Sequence, residues 1–451
     1  MTSSPSLPYW ICPELAWIDG RMHADKAIAL SGDGLIEAVV TRAEVPAGQV
    51  VEDLPGAALL PGFVNAHSHA FQRVFRGQTE FLRTGAEHED FWSWRQQMYG
   101  AAGRLDPQTT YDIARRLYAE MRAAGWTSVG EFHYVHHGAD GSALSPATAM
   151  ADAVIQAAVD VGLRINLLAV LYHTGGIGEP ARPDQRRFIS GSLWAFTSLV
   201  EALLARWGSH RLVTVGLAPH SVRAVPVDWL EALAQWNAQH HLPVHMHLCE
   251  QTAEVEASHR LLGAGPMEVV RRAGLLGPGF VAVHATHLEA DDPARLANAG
   301  AMVCACPTTE ANLGDGFLPA SALIEAGVEL CVGSDSHIVV NPFEELRLIE
   351  NNERLQRRRR NVLAKFVEPA ADEPDKRRVA PFLLDVGARG GARSLGLDAG
   401  EIKAGQAADL VAVSLRDAAL EGVPMDFLAE ALIFSADTRC VLDTWVAGVR
   451  G

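Results

Sequence analysis

The fold is decided by residues 59–69, LLPGFVNAHSH, an apolar run that ends in two histidines. A short apolar run bounded by proline and glycine is typical of a buried strand. Three later runs also end in residues that bind transition metals, namely Leu242–His247, Phe280–His284 and Val328–Asp335. Because the carboxyl ends of the strands in a parallel barrel meet at one rim, the four runs together predict one metal ion at the mouth of such a barrel.

Strand-like and helix-like segments alternate between about residue 60 and residue 390. Asp106-Pro107 has the cap and first-turn proline of a helix that Ala124-Gly125 ends, and similar helices are predicted at 229–238 and 293–299. Eight strand–helix units predict an α/β fold, a TIM-type (β/α)8 barrel. The predicted strands are the run ending at His67, Ser128–Phe132, Ile165–Leu171, Val213–Leu217, Pro243–Leu248, Phe280–His284, Ala301–Cys304 and Glu329–Gly333.

Both ends of the chain depart from this alternation. They contain short strand-like pieces separated by Gly and Asp, which predict a small β-sandwich domain built from both termini. The predicted division is 1–58 and 396–451 for this domain and 59–395 for the metal-dependent barrel. The strand-like pieces are Ala27–Leu30, Leu35–Val40, Asp409–Val413 and Cys440–Val446.

Composition limits the classes of function. The chain has 451 residues, 48% of them hydrophobic, and a formal net charge of −16. A large core is therefore available, and nucleic acid is not expected as the main partner because phosphate binding needs a basic surface. A few local arginines would still suit a small anionic substrate. The four arginines at 357–360 follow Glu350 and Glu353 and are interpreted as a solvated helix face.

A cytoplasmic protein is expected. Met1–Pro8 lacks the basic start and apolar core of a secretory signal, and no apolar stretch is long enough to span a membrane. Most of the six cysteines lie in apolar runs, which predicts reduced core thiols. Cys304-Ala305-Cys306 is a weak zinc signal because it lacks a partner pair. A homodimer is expected as a common state of such enzymes.

The metal site is predicted from four residues. His67 and His69 are two apart on one strand, so both imidazoles point to the same face and reach one ion about 2.1 Å away. His247 and Asp335 join them at the rim of the barrel. Three imidazoles and one carboxylate leave a position for water, which is the catalytic arrangement. Zinc is predicted, while Fe²⁺ and Mn²⁺ stay open because these ligands suit several ions.

Glu250 and His284 are the candidate residues for proton transfer. Glu250 follows His247 by three residues and could shuttle protons between water and a leaving nitrogen, although a glutamate favoured at a helix start is the alternative. His284 is either a further ligand or a proton-transfer group. The fourth strand ends in Ala218-Pro219-His220-Ser221 without a lysine to bridge a second ion, so one ion per chain is predicted.

The metal motifs, His67-Ser68-His69, His247 with Glu250, His284 and Gly333-Ser334-Asp335, resemble the mononuclear deaminase branch of the amidohydrolase superfamily. Five longer segments are similar to the formimidoylglutamate deiminase family of histidine degradation. These segments are His69–Gln72, Phe91–Arg95, Glu131–Tyr134, Ala218–Arg223 and Cys306–Gly316.

This resemblance implies a small dianionic substrate, N-formimino-L-glutamate, with two carboxylates and one formimino group. Planar guanidinium forks suit carboxylates, so Arg95 and Arg223 are the candidate clamps, with Arg76 and Arg83 in reserve. Directional hydrogen bonds are expected from three further residues. These residues are Gln72, Tyr134 and His220.

The implied reaction converts N-formimino-L-glutamate and water to N-formyl-L-glutamate and ammonia. A bound zinc ion would supply hydroxide at neutral pH. The catalytic residues would be Asp335 and His284, which accept and orient the proton, and Glu250, which protonates the leaving nitrogen. The segment Gln72–Ala102 is too long to be a simple connection, and whether it closes over the substrate stays open.

Three alternatives stay open at this point. One is another deaminase or hydrolase of the same branch, acting on a purine, a pterin or an s-triazine. A second is a barrel that has lost catalysis and serves as a scaffold, although such proteins usually lose their metal ligands. A third is a small-molecule binding protein, which leaves the presence of Glu250 and His284 beside the ligands unexplained.

Overall fold

The computed structural model describes residues 9–371 and 373–451. Met1–Pro8, on which the expectation of no secretory signal rests, lies outside this range. Eight consecutive parallel strands form the predicted barrel, each hydrogen-bonded to the next in sequence. They are β6 (Phe63–Ser68), β7 (Trp126–His133), β8 (Arg164–Leu171), β9 (Val213–Pro219), β10 (Val244–Leu248), β11 (Phe280–His284), β12 (Met302–Ala305) and β13 (Glu329–Val332).

The barrel closes where the last strand returns to the first. A parallel bridge joins Ser68 to Asp335, and the backbone N–H groups of His69 and Asp335 bond to the carbonyls of Asp335 and His67 at 3.1 and 3.0 Å. Gly333 permits this approach, because a Cβ at that position would lie 2.6 Å from the Cβ of His67. The closure therefore places the aspartate directly beside the two histidines of the first barrel strand.

Helices surround the barrel, and the predicted cap of the second one is confirmed, since Asp106 accepts the N–H of Thr109 at 2.7 Å. The helices are α1 (Phe91–Ala102), α2 (Pro107–Ala123), α3 (Ala149–Val161), α4 (Leu193–Trp207), α5 (Val227–His240), α6 (Thr252–Leu262), α7 (Pro266–Arg272), α8 (Asp292–Ala299), α9 (Pro307–Leu313), α10 (Ala320–Ala326), α11 (Pro342–Arg357), α12 (Val379–Asp385), α13 (Gly391–Ser394) and α14 (Leu428–Phe434).

Both termini contribute to one mixed sheet of eight strands beside the barrel, which confirms the predicted second domain. One strand from the end of the chain pairs with a strand from its start, since β14 is antiparallel to β5. The predicted domain limits at 58/59 and 395/396 remain predictions. The strands are β1 (Tyr9–Ile18), β2 (Arg21–Ala24), β3 (Lys26–Leu30), β4 (Ile36–Thr41), β5 (Val50–Pro61), β14 (Leu410–Ser414), β15 (Val441–Val446) and β16 (Val449–Arg450).

One predicted strand is divided in two. The run at 59–69 was expected to be a single barrel strand, but Leu59 to Pro61 belong to β5 of the terminal sheet and the barrel strand begins at Phe63. In β5, Leu59 packs into the core of the small domain, while Ala58 and Leu60 pack into the core around the barrel. A strand buried on both faces reads as a continuous apolar run, so its sequence does not reveal the domain to which it belongs.

Three further features of the chain can be compared with its sequence. All six cysteines are free and buried, and Cys304 and Cys331 fill the barrel interior with Val283. The arginines at 357–360 are exposed, and Arg357 lies 3.3 Å from Glu353 on α11. No helix in the described part of the chain is long and apolar enough to cross a bilayer.

Candidate active site

The four predicted metal ligands converge at the carboxyl end of the barrel. His67 and His69 come from the end of β6, His247 from β10 and Asp335 from the turn after β13. The three Nε2 atoms lie 3.2 to 3.4 Å from one another. Asp335 Oδ1 lies 3.3 Å from Nε2 of both His67 and His69. Residues separated by up to 268 positions in sequence thus present four ligand atoms to one point.

The spacing of these atoms fits one shared metal ion. Atoms 3.2 to 3.4 Å apart can all lie about 2 Å from one ion, which is the usual distance from zinc to nitrogen or oxygen. All four side chains are buried. Burial lowers the pKa of His69 to about 3 and holds those of His67 and His247 well below the ordinary value. Neutral imidazoles are the form that binds a metal ion.

Backbone carbonyls orient two of the rings. His69 Nδ1 lies 2.9 Å from the carbonyl of Phe132, and His247 Nδ1 lies 3.2 Å from the carbonyl of His220. An Nδ1–H that donates to a carbonyl leaves Nε2 with its lone pair free for a metal ion. The structure therefore selects the tautomer that a ligand requires.

Several residues at this rim have left-handed backbone conformations. The φ angles are 71° for His284, 45° for Asp335 and 53° for Cys249, which precedes Glu250. Side chains other than glycine rarely adopt such angles, and strained residues of this kind cluster at functional sites. Here they turn the chain sharply after a strand and direct polar side chains toward the barrel axis.

Glu250 and His284 lie beside the metal-ligand group rather than within it. Glu250 Oε2 accepts a hydrogen bond from Arg223 Nη2 at 2.7 Å. His284 Nε2 lies 3.8 Å from Glu250 Oε1 and 3.9 Å from Asp335 Oδ2. A histidine between two carboxylates can exchange protons with either of them through a small bound molecule.

The surroundings of His284 favour a charged ring. Burial lowers its pKa, but the carboxylates of Glu250, Glu310 and Asp335 outweigh this effect and raise it to about 10. Glu310 Oε1 lies 3.4 Å from His284 Nδ1 and also accepts the N–H of Cys306 at 2.8 Å. Cys306 thus contributes its backbone to this arrangement, while its partner in the weak zinc signal, Cys304, lies in the barrel interior.

A narrow cavity opens directly onto the metal-ligand group. All five residues predicted to bind the substrate line it together with Glu250 and His284, so the structure brings every predicted site residue except the fully buried His67 to one space. The five are Gln72, Arg95, Tyr134, His220 and Arg223.

Two of these residues have buried polar atoms with no partner. Arg223 is 8% exposed, and its Nη1 has no hydrogen-bond acceptor. Gln72 donates from Nε2 to the hydroxyl of Tyr134 at 3.0 Å, while its Oε1 is unpaired. Leaving a buried donor or acceptor unpaired costs about 1–3 kcal/mol, so these atoms indicate a polar ligand.

Arg95 is held by aromatic rings. Its guanidinium carbon lies 4.5 Å from the ring centre of Trp92 and 5.8 Å from that of Tyr99. It has no carboxylate partner among the described residues, and burial lowers its pKa. A guanidinium supported by cation–π contacts keeps its N–H groups available for an anion.

The sequence did not single out the aromatic side of the cavity. This side comes mainly from α1, a helix inside the segment Gln72–Ala102 for which no secondary structure was predicted. Tyr99 and Tyr172 both accept a hydrogen bond from Gln185, at 3.2 and 2.9 Å. The motif at 91–95 pointed to part of this helix. The cavity residues that lie outside every motif of the sequence are Met98, Tyr99 and Tyr172.

The two reserve arginines do not line the cavity. Arg76 lies 2.8 Å from Glu120 and donates to the carbonyl of His337, and Arg83 forms an exposed pair with Glu89 at 3.1 Å. Their position in the same insertion as Arg95 was the reason to consider them. Arg95 differs from these two because it lies on α1, which lines the cavity.

Comparison with known proteins agrees with this geometry. The Amidohydrolase family matches residues 58–450. The formimidoylglutamate deiminase of Pseudomonas aeruginosa is 37% identical over 423 residues, 93% of this chain and 89% of that protein.

Two solved structures share the fold over nearly the whole chain. An amidohydrolase from Brucella melitensis has 33% identity and a TM-score of 0.87, covering 98% of this chain and 94% of that one. An adenosine deaminase from Xanthomonas campestris with bound zinc has 26% identity and a TM-score of 0.76, with coverages of 98% and 92%. The chain belongs to the Amidohydrolase family, as its sequence motifs indicated, and is a hydrolase that acts on a carbon–nitrogen bond.

Proposed function

We propose that the protein converts N-formimino-L-glutamate and water to N-formyl-L-glutamate and ammonia. The observation that carries the proposal is the pair of guanidinium groups, Arg95 and Arg223, in the same cavity as the metal-ligand group. The buried Nη1 of Arg223 has no partner within the protein. A substrate with two carboxylates and one hydrolysable C=N group matches a cavity with two guanidiniums and one metal-ligand group.

Each residue of the site would have a separate role in this reaction. A divalent ion held by His67, His69, His247 and Asp335 would supply hydroxide at neutral pH. Asp335, a ligand whose second oxygen lies 3.9 Å from His284, orients the attacking oxygen and takes its proton. Glu250 carries one proton of the attacking water to the formimino nitrogen, and the proton taken by Asp335 follows it, so that a carbonyl forms, the C–N bond breaks and ammonia leaves. Arg95 and Arg223 hold the carboxylates, and Gln72, Tyr134 and His220 add directional hydrogen bonds.

We further propose that the ion is zinc, that the protein works in the cytoplasm and that it forms a homodimer. The neutral imidazoles and the close spacing of the ligand atoms support zinc, as does the zinc in the structure from Xanthomonas campestris. Buried free cysteines support a reducing compartment. Two-fold dimers are the commonest assemblies of soluble enzymes. Metal analysis and light scattering would test the ion and the assembly.

The main alternative is a nucleoside deaminase, as the similarity to an adenosine deaminase suggests. A purine ring is neutral and needs stacking surfaces and neutral hydrogen-bond partners. Around such a ring, the Arg95 guanidinium and Nη1 of Arg223 would stay without a partner in a buried site, which is unfavourable. The charge of the cavity therefore favours the dicarboxylate.

The decisive experiment measures ammonia release by the purified, zinc-loaded protein. N-formimino-L-glutamate is compared with adenosine and guanine at equal concentrations. We expect turnover of the formimino compound at least about 100-fold faster than of either purine, because an unpaired buried charge costs several kcal/mol. Comparable or faster release from a purine would refute the proposal.

A further inference from the structure

Glu254 lies behind the pair formed by Glu250 and Arg223 and does not line the cavity. It is the third residue of α6 and is 1% exposed. A carboxylate buried this deeply is unfavourable unless hydrogen bonds or an opposite charge compensate it. Its two partners therefore indicate what it does at this position.

The first partner is the backbone before Glu250. Glu254 Oε1 accepts a hydrogen bond from the N–H of Cys249 at 3.1 Å. Cys249 has the left-handed φ angle of 53°, which costs free energy for a residue with a side chain. This hydrogen bond stabilises the turn that follows β10, and the turn directs Glu250 into the cavity.

The second partner is Arg223. Glu254 Oε2 lies 3.2 Å from Arg223 Nε, while Arg223 Nη2 donates to Glu250 at 2.7 Å. A hydrogen bond at Nη2 and an ion pair at Nε hold the guanidinium from two sides. Neither Nε nor Nη1 has a hydrogen-bond acceptor within the protein, and Nε has the ion pair with Glu254. One carboxylate thus contacts both the backbone that aims the proposed proton donor and the side chain that would bind substrate.

We propose that Glu254 is a positioning residue that couples proton transfer by Glu250 to carboxylate binding by Arg223. The identity of the substrate in this inference rests on the proposed function. Through Cys249, Glu254 sets the place of the Glu250 carboxylate. Through Nε, it holds Arg223 in the orientation that offers Nη1 to a carboxylate of the substrate.

Two substitutions separate these effects. In Glu254→Gln the amide oxygen still accepts the N–H of Cys249, but the charge beside Arg223 is lost. We expect kcat within about threefold of the unaltered enzyme and a KM for N-formimino-L-glutamate raised about tenfold, because one charge-assisted contact is lost. Glu254→Ala also removes the acceptor for Cys249, so its kcat should be at least about tenfold lower than that of Glu254→Gln.

Glu353 provides a matched control. It is 2% exposed, accepts the N–H of Ser321 at 2.8 Å and lies 3.3 Å from Arg357, but it is on α11 away from the cavity. Glu353→Gln therefore makes the same chemical change in the same kind of surroundings. It should leave both kcat and KM unchanged, and circular dichroism of all three variants would show whether each is folded.

Calorimetric binding of glutarate gives a readout that does not need turnover. Glutarate has two carboxylates and no reacting group, and its Kd should rise about tenfold in Glu254→Gln. An unaltered Kd in that variant, or no glutarate binding by the unaltered protein, would overturn the inference, as would equal kcat values for folded Gln and Ala variants. If the unaltered protein binds glutarate but releases no ammonia from N-formimino-L-glutamate, the proposed function is wrong. The glutarate Kd of the unaltered protein, compared with that of Glu254→Gln, would still test whether Glu254 holds Arg223 in place.

Discussion

The two sides of the cavity are built in different ways. The cavity floor, which consists of His67, His69, His247 and Asp335, comes from the ends of three barrel strands that are far apart in sequence. The α1 wall comes from one helix inserted after the first barrel strand. Backbone carbonyls fix rings of the floor, whereas aromatic contacts hold Arg95 of the wall. The wall residues are Phe91, Trp94, Arg95, Met98 and Tyr99.

This difference indicates a division between chemistry and substrate choice. Strand ends are held by the closed barrel, so their side chains keep the geometry that a metal ion requires. An inserted helix can change its sequence without disturbing the barrel, so the same floor can serve different substrates. Substitutions in the floor should therefore remove the ion and the activity together, while substitutions in the wall should change mainly KM.

The largest effect is expected for His69→Ala. Loss of one of the four ligands should reduce the bound metal well below one ion per chain and lower kcat/KM by at least about 10⁴-fold, because hydroxide at neutral pH depends on the ion. Metal analysis and ammonia release would measure both. His245→Gln is the control, since His245 is equally buried on β10 but bonds to the carbonyl of Ser394. Retention of metal and activity in His69→Ala would contradict the role of the floor.

Glu250→Gln should separate proton transfer from metal binding. The amide cannot protonate a leaving nitrogen, so we expect kcat to fall about 10³-fold, while the zinc content stays at one ion per chain. Arg223 can still donate to the amide oxygen, which preserves the local packing. Kinetics like those of the unaltered enzyme would show that Glu250 takes no part in the reaction.

Arg95→Ala tests the wall. Loss of one charge-assisted contact to a carboxylate should lower kcat/KM about 10- to 100-fold, mostly through KM, with the metal content unchanged. Arg83→Ala is the matched control from the same insertion, because Arg83 is exposed and pairs with Glu89. An equal effect in both variants would mean that the insertion acts through its stability rather than through Arg95.

The smallest effect is expected for Glu131→Gln, beneath the floor. Glu131 accepts hydrogen bonds from Ser68, Ala70 and Tyr118 at 2.6, 2.7 and 3.0 Å, and so supports the turn that carries His69. We expect zinc affinity to fall about tenfold, as for other residues that support metal ligands, with little change in KM. Titration with a competing chelator would measure the zinc affinity of the variant. A change in KM larger than the change in zinc affinity would contradict the assignment of metal binding to the floor and substrate binding to the wall.

The floor could be predicted from the sequence because two regularities determine it. Apolar runs of four to eight residues mark the strands, and the parallel barrel brings their carboxyl ends together. His67, His247 and Asp335 each follow such a run, so their convergence needed no knowledge of loops. The predicted strand limits agree with the observed ones to within one or two residues, except where β5 and β6 share one apolar run.

The wall could not be predicted in the same way. Residues 76–90 form no regular element, and α1 follows them with little difference between its two faces, so no periodic pattern predicts the helix or its orientation. Arg95 was found only through its motif, and Tyr99 and Tyr172 had none. Glu254 was missed because its partners, the N–H of Cys249 and Arg223 Nε, are set by tertiary packing.

Strand β5 passes directly from the terminal sheet into the strand that carries His67 and His69. Because neighbouring residues of β5 pack into opposite cores, neither domain can loosen without disturbing the other. Heating should therefore melt the whole chain in one cooperative transition, and the metal should be released at the same temperature. The stability of the terminal sheet would in this way determine the temperature at which the enzyme loses its metal and its activity.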